Sequence, residues 1–183
     1  MRTIFSILQD RGRKSMELSK LDRYKDKSEF VEDLRKKAFE TEMTYHGCAQ
    51  AVLKPFLDIF EEDNNLVMMA TSPFAGGLAL TGNNCGALTG GLIVLGLVFG
   101  RKDVNEGMDG ILEGIRPMRK LVRYFEGEQG TVNCRDITQT DVADPVKSVE
   151  YFDHGGLEKC ARIIADVAAF VGDILYEEKE ARQ

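Results

Sequence analysis

Apolar positions recur at helical spacing through most of the chain, and no segment sustains the alternation of a half-buried strand. Asp26 and Glu29 read as a capping box, opening a helix with Phe30, Leu34 and Ala38 on one face. A break at Gly47 precedes a second helix carrying Ala49, Val52, Leu53, Phe56 and Phe60, with a kink expected at Pro55. Residues 64–74 read as a shorter helix and 76–84 as a loop. The apolar, glycine-rich run 85–100 follows as a buried central helix. Asp103 and Glu106 form another capping-box pattern. The helix behind it has the stripe Met108, Ile111, Leu112, Ile115, Leu121, Val122 and Phe125. Pro117 is expected to kink or divide it, and glycines from 127 to 130 to end it. Asp144-Pro145 suits an N-cap and first position for a short helix to 152. The last helix starts near Gly156, with Leu157, Cys160, Ala161, Ile164, Val167, Ala168, Val171, Ile174 and Leu175 on its apolar stripe. Residues 130–137 could be extended, in a short stretch.

These elements predict an all-α, single-domain bundle of about six or seven helices around the glycine-rich central helix. A length of 183 residues fits one domain. Residues 1–27 carry eight Lys/Arg against four Asp/Glu and read as a basic N-terminal arm, solvated or loosely packed, ahead of a helical domain at 28–183. Glycine pairs 86/90 and 96/100 strip side chains from one face of the central helix, so another backbone or a cofactor can approach closely. The same helix suits a homo-oligomer interface.

Charge and length narrow the function. A net charge of −6 argues against nucleic acid, which is bound by clustered Lys and Arg. The apolar run of 16 residues is shorter than the roughly 20 a membrane span needs. No secretory signal is visible, so a cytoplasmic location is expected, where thiols stay reduced and serve metals or redox chemistry.

The four cysteines are Cys48, Cys85, Cys134 and Cys160. None belongs to a CxxC or CxxCH motif, which excludes a zinc ribbon, a thioredoxin motif and covalent c-type haem. If they cooperate, tertiary folding must gather them from four segments. Cys48 and Cys85 stand at predicted helix starts, where unpaired N–H groups and the positive helix end favour thiolate. Cys134 lies in a loop beside Arg135, which could support a negative charge, and Cys160 faces inward from the last helix. Free cysteine also packs as a small hydrophobe, so four unrelated core residues are the competing reading. His46 and His154 could ligate metal or relay a proton, or serve as ordinary cap and loop residues.

Gly47-Cys48-Ala49-Gln50-Ala51-Val52-Leu53, Cys85-Gly86-Ala87-Leu88-Thr89-Gly90 and the lone Cys134 and Cys160 resemble the redox-active family named for its cysteine pattern, C-GCAxxG-C-C. The likeness runs from about Phe30 to Leu175, leaving the N-terminal arm outside. It implies a helical domain whose four cysteines act together. The family looks related to the non-haem part of split-Soret cytochromes c, which implies an iron–sulfur centre; without CxxCH sites here, only that part carries over.

The leading expectation is therefore a redox protein holding an iron–sulfur cluster on Cys48, Cys85, Cys134 and Cys160, for electron transfer with a redox partner protein. Gly86 and Gly90 would let the backbone approach the centre, and Val52 and Leu88 would wall it. Zinc is the alternative metal, since four sulfurs suit either, and His46 is the first non-cysteine ligand candidate. A second expectation is a metal-free thiol–disulfide enzyme acting on a small thiol or disulfide, with Cys48 or Cys85 as catalytic nucleophile. The third is a helical interaction module with structural cysteines, in which the sulfurs lie scattered.

Overall fold

The computed structural model describes residues 16–62 and 64–182. Its eight α-helices are α1 (Lys27–Tyr45), α2 (Cys48–Phe60), α3 (Asn65–Thr71), α4 (Gly86–Phe99), α5 (Gly107–Gln129), α6 (Cys134–Thr138), α7 (Pro145–Tyr151) and α8 (Leu157–Ala181). The described residues form no strand, and one isolated antiparallel bridge joins Asn84 to Asn133. The chain is an all-α single domain.

Local signals in the sequence account for most helix ends. The Asp26 side chain accepts the Glu29 N–H at 2.9 Å and starts α1, while Glu29 accepts from Lys25 N–H at 2.7 Å. Asn64 caps α3 through Val67 N–H, and Asp144 caps α7 through Val146 and Lys147 N–H. Asp103 and Glu106 do form a reciprocal box, but around the 3-10 turn Val104–Glu106, and α5 begins one residue later. Gly130, at φ 72°, ends α5. Pro55 and Pro117 lie inside α2 and α5, and neither divides its helix.

α1 packs along α8, burying Phe30, Leu34 and Ala38 against a stripe that includes Ile164, Val167, Ala168, Val171 and Leu175. Each large side chain buried this way contributes about 1.5–3 kcal/mol. The ion pairs across the seam, Lys27 with Asp173 and Glu177 and Arg35 with Asp166, are partly exposed and add about 0–1 kcal/mol each. Their value here is as markers of register: rising numbers on α1 meet falling numbers on α8, so the two helices run antiparallel. α4 packs against α2, α5 and α8 and buries Gly86, Ala87, Leu88, Gly90, Gly91, Val94 and Leu95.

Two expectations change. The α5 stripe is buried only in its second half, at Leu121 and Phe125; Met108 and Leu112 are exposed. In the first half of α5 the buried positions are Gly110 and Gly114, the latter close against the Phe99 backbone, so the apolar stripe overstates the burial there. The expected arm, residues 1–27, lies outside the described residues up to position 15. From Met16 onward it joins the core, with Met16, Leu18 and Leu21 buried in and beside the 3-10 turn Leu18–Arg23. No described helix is long and apolar enough to cross a membrane.

Candidate redox site

Four helix starts meet at one cavity. Cys48 is the first residue of α2, Cys85 is the N-cap of α4, Cys134 opens α6, and Cys160 lies in the first turn of α8. All four side chains line a single cavity of about 490 Å³, and none forms a disulfide. The reading of incidental cysteines requires scattered sulfurs, and these are gathered.

The segments are tied together by backbone. Cys85 N–H donates to Val132 C=O at 2.7 Å, Cys134 N–H to Asn83 C=O at 2.7 Å, and Arg135 N–H to Gly82 C=O at 2.9 Å. These bonds lock the loop before α4 to the start of α6. Thus Cys134 does not sit in an extended loop as expected but on a short helix held against residues 82–84. Upstream, Leu78, Ala79 and Leu80 all have left-handed φ, 61°, 52° and 63°. That conformation costs roughly 1–2 kcal/mol per non-glycine residue. It is held by Ala79 N–H on Pro73 C=O, Leu80 N–H on Ala75 C=O and Gly82 N–H on Gly76 C=O. Ala75, Gly76 and Leu80 from this strained turn form part of the cavity wall.

Gly86 and Gly90 have separate roles. A Cβ on Gly86 would collide with the Cys48 sulfur, so this glycine makes the space that the thiol occupies. A Cβ on Gly90 would lie 2.5 Å from Ala49 C=O and 2.9 Å from Ala49 Cα. Gly90 therefore serves close packing of α4 on α2, and neither glycine lines the cavity. Val52 and Leu88 are core residues that also stay out of the cavity wall, which is formed instead by Ala87, Ile137, Val142, Leu157, Ile163 and Ile164.

Burial governs the thiols. It pushes Cys48 up to about 12, opposed by a hydrogen bond from the Gly76 backbone. It pushes Cys85 higher still, with the nearby Cys48 adding to it and the Ala87 and Leu88 backbone opposing. Cys134 rises to about 11 and Cys160 also rises, both mainly through burial. Helix-start N–H groups act on Cys85, from Ala87 and Leu88, whereas the backbone donor to Cys48 is Gly76, outside its own helix; desolvation outweighs both and holds the metal-free thiols protonated. The Tyr151 hydroxyl lies 3.6 Å from Cys160 Sγ. Arg135 is turned away, donating to Asp141 Oδ1 at 2.9 Å. His46 is exposed at the cavity wall, and His154 lies outside it, its Nδ1 2.6 Å from Glu150 C=O.

One residue of the site was missed in the sequence. Glu42 lines the cavity, is 5% exposed, and its Oε2 has no hydrogen-bond partner among the described residues. Burial pushes its carboxyl up to about 7. The α1–α8 register that sets Lys27 by Asp173 and Arg35 by Asp166 continues to bring Glu42 level with Cys160. A signal was present: Glu42 extends the four-residue spacing of Phe30, Leu34 and Ala38.

A family model described as "Putative redox-active protein (C_GCAxxG_C_C)" matches residues 46–174, more than half of the chain and all four cysteines. The chain belongs to this family. No curated protein and no solved structure matches it. The family's two cysteine–glycine elements fall on the α2–α4 contact, where Gly86 accommodates Cys48 and Gly90 accommodates Ala49.

Proposed function

We propose that the chain is an electron-transfer protein that holds an iron–sulfur centre on Cys48, Cys85, Cys134 and Cys160. The observation that carries this reading is the convergence of four free thiols, from four separate segments, on one cavity. Four soft sulfur donors suit an iron–sulfur centre or zinc. Among the described residues, no three His, Cys, Asp or Glu side chains come together closely enough to hold one metal ion. Iron–sulfur is preferred to zinc on the resemblance to the non-haem part of split-Soret cytochromes c.

Such a centre would supply reversible one-electron transfer when bound. The chain's part is to bind, shield and tune. The N-terminus of α4 brings backbone N–H groups and a positive helix end to Cys85, stabilising thiolate once a cation competes with the proton. Gly76, Ala87 and Leu88 already direct backbone hydrogen bonds at Cys48 and Cys85. Ile137, Val142, Ile163 and Ile164 place apolar surface around the sulfurs, and such a wall would tune the potential by lowering the local dielectric.

A metal-free thiol–disulfide enzyme on Cys48 or Cys85 fits less well. An attacking thiol works best with a pKa near ambient pH, and burial holds both well above it. A cytoplasmic location, where thiols stay reduced, and a redox partner protein belong to this reading. Anaerobic purification followed by visible spectroscopy tests the function. A charge-transfer spectrum that bleaches on reduction and returns on oxidation is expected; a colourless protein with four titratable thiols contradicts it.

A further inference from the structure

The cavity wall is more varied than four sulfurs. At about 490 Å³ the cavity falls within the roughly 300–1,000 Å³ of small-molecule pockets. Beyond the thiols its wall includes Ala75, Leu80, Ile137, Val142, Phe152 and Leu157, which suit an apolar body. Its charge is one-sided: Glu42 and Asp153 line it, and no described lysine or arginine does. Tyr151 and Phe152 add aromatic rings, whose faces attract cations. Glu42 is the decisive group. A buried carboxylate oxygen without a partner is costly and calls for a donor. Among the described residues none donates to Oε2, so a bound molecule can.

We propose that this cavity binds a small organic cation, an apolar body carrying a protonated nitrogen, and that Glu42 is the residue that holds the nitrogen. A cation would satisfy the orphaned oxygen, offset the carboxylates and place its apolar part against the aliphatic wall. An anionic ligand would meet two carboxylates and sulfurs that become negative on deprotonation. The site thereby gains a ligand class that a simple electron carrier has no need of. The inference stands on Glu42 and the wall, and does not depend on a metal at the cysteines.

The test is calorimetric titration of the anaerobically purified full chain at neutral pH with n-hexylammonium and, separately, n-hexanol. These probes share a body and differ in charge. Saturable binding of the amine, at least tenfold tighter than the alcohol, is expected. Glu42→Gln should weaken the amine at least tenfold and leave the alcohol unchanged. No amine binding, equal affinity for the two probes in the parent, or full amine affinity in Glu42→Gln overturns the inference. If the variant does not fold, the two-probe comparison in the parent decides alone. Iron measured on the same samples separates the two ideas. Iron without amine binding sinks this inference only, and amine binding without iron sinks the electron-transfer reading only.

Discussion

Replacing Glu42 by Gln should flatten part of the pH dependence of stability. The carboxyl moves from its ordinary value of 4.5 to about 7 in the folded chain because burial disfavours its charge. Below 4.5 the folded and unfolded chains both hold the proton, and there is no penalty. Between 4.5 and 7 the folded chain holds more protons than the unfolded one, so stability falls as pH rises. Above 7 the loss is complete, at about 3 kcal/mol from the two pKa values. Gln keeps the shape without the charge, and its buried amide costs about 1–3 kcal/mol at every pH if unpaired. Whatever that fixed offset, the gap should shift in favour of the variant by about 3 kcal/mol between pH 4 and pH 8. Urea unfolding of the reduced, metal-free proteins across that range measures it; the thiols that feel the Glu42 charge, Cys48 and Cys160, stay protonated over most of the range. Parallel stability curves for parent and variant would refute the assignment of Glu42 as a buried, unpartnered carboxyl.

Other outcomes follow from the same geometry. Gly90→Ala drives a methyl into the Ala49 backbone and should cost about 1–3 kcal/mol, read as a lowered Tm. Gly86→Ala should displace the Cys48 thiol, so that bound iron falls more than helix content, measured together by metal analysis and circular dichroism. In the reduced, metal-free protein, alkylation of Cys134 at pH 8 should run at least about a hundredfold slower than for free cysteine, because a thiol with a pKa of about 11 is rarely thiolate there. Mass spectrometry of a timed iodoacetamide reaction checks this. Asp144→Ala removes the cap on Val146 and Lys147 N–H and should cost about 1 kcal/mol in thermal unfolding.

Helix ends were the most legible part of the sequence, because a cap is a local event: Asp26, Asn64 and Asp144 act within three residues of themselves. The glycine pattern was legible as close approach, though its split between a thiol at Gly86 and a backbone at Gly90 needs the packing of α4 on α2. What could not be read was set by distant partners. Cys134 lies on a helix because residues 82–84 hold its backbone from some 50 positions away. Glu42 is buried because α1 and α8 align in one register, although its residue type marks it as solvated. The left-handed turn at Leu78, Ala79 and Leu80 has no glycine or asparagine at those three positions to announce it. Of the two helix-start thiols, Cys85 receives N–H groups from its own helix and Cys48 from Gly76, and desolvation, which depends on the whole cavity, outweighs both.

The central claim is that four cysteines hold one iron–sulfur centre. Iron and acid-labile sulfide per chain, measured in the anaerobically purified parent and in each single Cys→Ser variant, test it most directly. The account predicts both elements in fixed proportion in the parent and a marked loss in all four variants, at Cys48, Cys85, Cys134 and Cys160 alike. A parent free of iron and sulfide, or variants that retain the parent's content, would contradict it.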